Sequence, residues 1–556
     1  MIITWYTCAM RTPRATRPRL LAACLAAGAL LLTACSGHPR PQGAAPVPTG
    51  PAPSATATAS PTPTARPTGA ADPALKPFYG QQITWAGCPD DPRAEKVDTS
   101  TMQCGKLHVP LDYAHPEADA IDVALLRLPA AKPEQRIGSL VVNPGGPGES
   151  GVDMVLFGAD RFKGALHDRF DVVGFDPRGV GGSAPVNCLD DKDRDALNST
   201  DEPQDPQARQ ADRAKRAADF AAACQARSGK LLPFVGTRNT ARDLDVMREA
   251  LGDRKLNYLG ISYGTYLGSL YAEEFPANTG RLVLDGAVDP AADKLDQSVN
   301  QAAGFEKSLE RFAVDCVRNH ADDCPLGNSP DQAAKKAADF LDGLREHPLT
   351  AKDGRRLTSD LGWTGAISYL YGDETTAWQQ LRWSLGWAMA RGKGDFLLAS
   401  ADNYNGRDDK GHYTTLEDAG RAIRCADSAP PAPSAERIQQ VLGQLHEQAP
   451  LVSKGTSAED YSTPSCAAWP YRTTETPHAV RAEGSAPILV VGTTGDPATP
   501  YAAAESLAKG FASATLLTRE GEGHGAFGKD NGCIDAALEA YLVNGVPPAA
   551  GTRCAR

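Results

Sequence analysis

The chain has 556 residues, of which 41% are hydrophobic and 22% charged, and a formal net charge of −11. That length suits one large core carrying an insertion better than one minimal domain, and the composition is globular. The acidic balance, with no basic cluster beyond the N-terminal segment, argues against nucleic acid as a partner and suits, weakly, a cationic ligand.

Residues 1–35 read as a bacterial export signal. Arg11, Arg14, Arg17 and Arg19 precede the apolar run Leu20 to Leu32, which is too short for a permanent membrane span. The run ends in Leu32-Thr33-Ala34-Cys35, a lipobox-like sequence that makes Cys35 the expected lipidation site. A conventional cleavage site with an incidental cysteine is the alternative. Met1 to Ala9 sit awkwardly before the basic cluster, so either Met1 or Met10 fits as the start. Residues 36–72 are Pro, Ala, Thr, Ser and Gly with almost no large apolar side chain, and are expected to form a disordered tether.

From residue 73 to 289 the pattern is globular. Strands are expected over Lys106–Tyr113, Ala120–Leu128, Ser139–Asn143 and Phe170–Phe175, with helices over 205–228 and Thr240–Leu251. The third strand runs into Pro144-Gly-Gly-Pro-Gly148, and the fourth into Asp176-Pro-Arg-Gly-Val-Gly-Gly-Ser183. The first of these loops lacks the Gly-Lys-Ser/Thr ending of a phosphate loop; its small residues would instead let a backbone N–H reach a substrate oxygen. Leu256 to Gly260 is strand-like, Thr265 to Phe275 helical, and between them Gly260-Ile-Ser262-Tyr-Gly264 matches the G-x-S-x-G nucleophile elbow. Glycines two positions either side of Ser262 remove side chains that would collide in so tight a turn. An ordinary glycine-rich turn with an idle serine is the alternative.

After a strand at Arg281–Asp285, residues 290–483 are mostly amphipathic helix, including Phe305–His320, Gln332–Glu346 and Thr375–Arg391, and read as a helical cap. Strands resume in 484–556 at Ala486–Gly492 and Ala514–Thr518, and a helix over Ile534–Val543 closes the chain. The order predicts an α/β-hydrolase fold: a mostly parallel central sheet flanked by helices, with the cap between the nucleophile strand and the acid and base strands.

A serine nucleophile needs a base and an orienting carboxylate, which in this fold class follow it in the order Ser, Asp or Glu, His. Asp496, in Gly495-Asp-Pro-Ala-Thr-Pro500, and His524, in Gly521-Glu-Gly-His-Gly525, stand after consecutive strands and complete a candidate triad with Ser262. Glu520 and Glu522 are backup acids, too near His524 in sequence for the usual geometry. The oxyanion would be held by the N–H of Tyr263 and by one from the Gly145-Gly146 loop. This chemistry needs neither metal nor organic cofactor.

Ten cysteines follow the N-terminal segment, and none stands in a C-x-x-C pair, so with the export signal they read as disulfides. Sequence leaves the connectivity open; pairing neighbours in order gives 88–104, 188–224, 316–324, 425–466 and 533–554.

Taken together, Asn143-Pro-Gly-Gly-Pro-Gly148, Asp176–Ser183, Gly260–Gly268, Gly495-Asp496, Gly523-His524-Gly525, Ala422-Ile-Arg-Cys-Ala-Asp427 and Cys466-Ala-Ala-Trp-Pro470 resemble the secreted tripeptidyl aminopeptidases. These are α/β-hydrolase serine peptidases related to prolyl iminopeptidases, and the resemblance spans residues 78 to 554. It departs from the prolyl iminopeptidases at Asn143, where they usually carry histidine.

The resemblance implies a monomeric exopeptidase acting at free N-termini, exported and either lipid-anchored or secreted, and contacting the membrane only through that anchor. Such an enzyme needs a carboxylate for the substrate amine, and Glu374 and Asp427 are the candidates from the cap. A carboxylesterase or lipase would use the same triad, and a non-catalytic lipoprotein on a hydrolase scaffold is the third reading.

Overall fold

The computed structural model describes residues 69–556 apart from 429, 430, 463, 472, 474 and 556. The export signal, Cys35 and the tether to residue 68 lie outside the described residues. The described residues begin at Gly69, inside the stretch expected to be tether. Gly69–Ala71 and Pro73–Leu75 form short 3-10 turns, and between them Asp72 is buried and accepts from the Ala74 N–H.

Twelve strands are described: β1 Ala86–Gly87, β2 Gln103–Pro110, β3 Ala120–Leu128, β4 Gly138–Asn143, β5 Phe170–Phe175, β6 Leu256–Ile261, β7 Thr279–Asp285, β8 Leu349–Thr350, β9 Arg356–Leu357, β10 Ile488–Gly495, β11 Ala514–Glu522 and β12 Arg553–Cys554. Ten of them make one sheet in the order β1-β2-β3-β5-β4-β6-β7-β10-β11-β12, and β8 and β9 pair separately. The β1–β2, β2–β3 and β3–β5 pairs are antiparallel; every pair from β5–β4 to β11–β12 is parallel.

Side-chain alternation explains why β4 reads as one unbroken apolar run. Val141 faces a layer that includes Leu244, Met247, Leu267 and Leu270, from helices Thr237–Ala250 and Tyr263–Glu274. Leu140 and Val142 face the opposite layer, with Val155, Leu166, Leu538 and Leu542. A strand buried on both faces needs no polar positions.

Between β7 and β10 the chain builds the cap. Its helices, among them Lys294–Asn319, Pro330–Gly343, Ser359–Leu370, Ala377–Arg391 and Asp395–Tyr404, close over a separate core containing Phe305, Phe312, Leu341, Trp378, Leu385 and Leu397. The first of them begins well before the expected Phe305, because Asp293 caps it by accepting from the Asp296 N–H. Helix Leu416–Asp427 leaves this group and packs with Tyr263, Phe220 and Val235 of the hydrolase core.

All five neighbour-in-order disulfides are formed. Such a set belongs to an oxidising compartment. Among the described residues no helix is long and apolar enough to cross a membrane.

The Asp176–Ser183 motif is a structural tie. Arg178 is fully buried and makes a two-pronged pair with Asp243 at 2.7 and 2.6 Å, donating also to the carbonyls of Pro110, Leu111 and Phe234. Asp176 accepts from the Gly182 N–H and the Ser150 hydroxyl.

Candidate active site

Strand order reverses between β4 and β6, and the carboxyl edge at such a switch point is where open α/β sheets place their ligands. The register aligns that edge: Asn143 stands opposite Gly260, Ile261 opposite Asp285, and Asp285 opposite Val491. The loops leaving β4, β6, β10 and β11 therefore deliver Gly145-Gly146, Ser262, Asp496 and His524 to one place.

Ser262 sits between β6 and its helix at φ 57°, ψ −123°, in backbone that L-residues rarely adopt. The turn is held by its N–H donating to the Asp285 carbonyl at 2.9 Å and by Thr265 donating back to the Ser262 carbonyl. Gly260 is required by close approach, since a Cβ there would lie 2.4 Å from the Gly264 carbonyl oxygen.

His524 Nδ1 lies 2.9 Å from both carboxylate oxygens of Asp496. Asp496 is buried and saturated: it also accepts from the N–H groups of Ala498, Thr499 and Gly525 and from the Thr499 hydroxyl. With Nδ1 donating to this carboxylate, the lone pair is on Nε2, which is buried and makes no hydrogen bond. Burial opposes a charge on the ring, and the Asp496 carboxylate, backed by Asp285, outweighs it. The imidazole is therefore held above its ordinary pKa.

His524 rests on supports that sequence reading missed. Asp285, at the end of β7, accepts from the Ala526 and Phe527 N–H groups and so pins the loop that carries His524. Burial pushes its carboxyl up. From the cap, the Tyr371 carbonyl accepts the His524 N–H at 2.8 Å, and the Tyr371 ring stands edge-on to the imidazole at 5.5 Å. An acid closing an apolar strand is the one sequence signal available for Asp285; nothing local marks Tyr371.

On the other side, Gly145 lies directly over the elbow. A Cβ on it would stand 2.5 Å from the Ile261 carbonyl oxygen and 3.1 Å from Ser262 Cβ, and its φ of 102° independently demands glycine. Its N–H already donates to Asn143 Oδ1 at 3.1 Å. The Tyr263 N–H, at a helix start, has no intrahelical acceptor, and a Cβ on Gly145 would stand 3.0 Å from that nitrogen.

The backup acids are engaged elsewhere: Glu520 pairs with Arg553 and Glu522 with Arg311 of the cap. Asp427 reaches the elbow indirectly. Its oxygens accept from the N–H and hydroxyl of Thr237, whose hydroxyl also bonds the Tyr263 hydroxyl, and burial raises its pKa to about 6. Glu374 is half-buried in the turn between Tyr371 and helix Ala377–Arg391, next to Asp373, which caps that turn through Thr375 and Thr376. Among the described residues no group of three or more His, Cys, Asp or Glu is arranged to hold a metal ion.

Sheet order, elbow and cap define an α/β-hydrolase. Residues 451–554 match the family model described as "TAP-like protein". Serine protease Hip1 of Mycobacterium tuberculosis is 41% identical over 490 residues, covering 86% of this chain and 92% of that one. Tripeptidyl aminopeptidase of Streptomyces lividans is 32% identical over 85% of this chain and 86% of its own. A protein named carboxylesterase B, also of Mycobacterium tuberculosis, is 37% identical over 88% and 92%. The solved proline iminopeptidase of Mycobacterium smegmatis matches 79% of this chain and 98% of its own at 13% identity and a TM-score of 0.30. The chain belongs to the tripeptidyl aminopeptidase-like family of α/β-hydrolases.

Proposed function

We propose that this hydrolase is an exported serine exopeptidase that cleaves peptides near their free N-termini. The observation that carries the reading is Ser262 in elbow backbone on the same sheet edge as a His524–Asp496 pair at 2.9 Å. In the proposed mechanism His524 Nε2 takes the Ser262 proton as Oγ attacks the scissile carbonyl. Asp496 fixes the tautomer and stabilises the imidazolium. The Tyr263 and Gly146 amides hold the oxyanion, each donor being worth about 3 kcal/mol. His524 then gives its proton to the leaving amine, and water frees the acyl group.

Glu374 supplies the carboxylate for the substrate amine, since Asp427, the other candidate, already accepts from the N–H and hydroxyl of Thr237. Acetylating the N-terminus removes that charge, so kcat/KM is expected to fall at least about 100-fold on acetylated peptides. Equal values on free and acetylated peptides would overturn the aminopeptidase reading. The relative named as a carboxylesterase favours one second reading, a carboxylesterase. A matched ester and free-amine peptide decides between them, and a fluorophosphonate that fails to label Ser262 removes both. We further propose that Cys35 anchors the chain through a lipid. Cys35→Ala is expected to move the enzyme from the membrane fraction to the medium, and retention in the membrane would contradict it.

A further inference from the structure

Arg424 is part of the Ala422–Asp427 segment and has no task in the mechanism above. It stands on helix Leu416–Asp427, beside the Cys425–Cys466 disulfide. One turn earlier, Gly420 packs backbone to backbone against the loop after β4: a Cβ on Gly420 would lie 2.5 Å from the Pro147 carbonyl oxygen and 3.3 Å from Arg424 Nη1. The guanidinium thus hangs beside the loop that carries Gly145 and Gly146. On one side it feels the hydroxyls of Tyr404 and Tyr371, which are 3.3 Å apart, and Tyr371 touches His524. On the other it repels Lys294, which is drawn to Asp427, two hydrogen bonds from Tyr263.

Arg424 is exposed at its surface though surrounded by protein, and while Glu417 attracts it, no carboxylate among the described residues forms an ion pair with it. The acids nearest in sequence are committed. Glu417 and Asp418 both bind Arg194, and Asp427 binds Thr237. A forked cation with no hydrogen-bond acceptor for its side chain among the described residues is suited to a planar anion.

We propose that Arg424 is a specificity-determining residue that binds a carboxylate of the peptide substrate. The inference rests on the peptidase reading and names its preferred substrate class, peptides with a carboxylate close to the scissile bond. That group is either an acidic side chain or the terminal carboxylate of a short peptide.

Two matched pairs of peptides test it: one pair exchanges Glu for Gln, and the other a free for an amidated C-terminus. In the parent enzyme at least one pair is expected to favour its carboxylate member by about tenfold or more in kcat/KM. Arg424→Gln is expected to bring that ratio within about twofold of unity, and Arg424→Lys to restore part of it. Which pair responds identifies the source of the carboxylate. The same ratios read as Kd on the Ser262→Ala protein decide the point without turnover, so a failed peptidase reading does not pass for a failed Arg424. A parent without preference in either pair, or a preference that survives in Arg424→Gln, overturns the proposal.

Discussion

In the hydrolase core, β4, β5 and most of β10 are buried on both faces, and the site residues lie within a few positions of strand ends. In the cap, helix Lys294–Asn319 buries Phe305, Leu309, Phe312, Ala313, Cys316 and Val317 in the cap core, while Val299 near its start packs with Val441 and Leu445. The cap residue that reaches the site, Tyr371, stands at a helix end, and Arg424, proposed above to meet the substrate, stands on a separate helix. Core residues are thus placed by strand register, cap residues by packing between distant elements. In the proposed mechanism this becomes a division of labour: the core fixes the reacting atoms, and the cap decides what is presented to them.

Removing the proposed nucleophile of the core should have the largest effect. Ser262→Ala is expected to lower kcat/KM by about 10⁴-fold or more with the fold intact, read by single-turnover assay and far-UV circular dichroism. Residual activity within about tenfold of the parent would take Ser262 out of the role.

Next comes the tie beneath the core. Arg178→Met strands Asp243 in a fully buried position and should cost about 3–5 kcal/mol of stability, measured by urea unfolding. An equal loss on changing Arg382 of the cap, whose partner Asp323 is largely exposed, would erase the contrast between the regions.

The smallest effect sharpens the joint between them. Only neutral His524 accepts the serine proton, so activity should rise with pH through an apparent pKa above 6.5, as its raised value requires. Tyr371→Ala exposes the ring and relieves the burial that opposes its charge. The acid limb should then move to still higher pH, by less than about one unit, with kcat/KM changed by under about tenfold. A limb that stays put or moves down would show that the cap does not shape the base.

The same contrast explains what the sequence made legible. Apolar runs closed by glycine or proline turns locate β3, β5 and β6 almost to the residue, and Ser262, Asp496 and His524 follow because each stands just past such a run. The two-residue strands β1, β8, β9 and β12 have too few positions to show a period. Asn143 taking the Gly145 amide, Asp285 pinning the His524 loop and Tyr371 accepting from His524 are contacts between elements far apart in sequence, and no local pattern encodes them. Glu374 and Asp427 were reachable as acids in polar-aromatic surroundings, but the Thr237 bonds of Asp427 depend on a helix 190 residues away.

The disulfides carry a consequence for how such a chain is made. Their partners are separated by 8 to 41 residues, and among the described residues no bridge joins the cap to the core. At synthesis rates of about 5–20 residues per second, the second cysteine of each pair emerges between under a second and about eight seconds after the first. In a chain threaded outward N-terminus first, each thiol meets its correct partner before the next pair arrives. Oxidation can then proceed in order of emergence, with little call on an isomerase, while the seam between cap and core is left to close last by non-covalent contact.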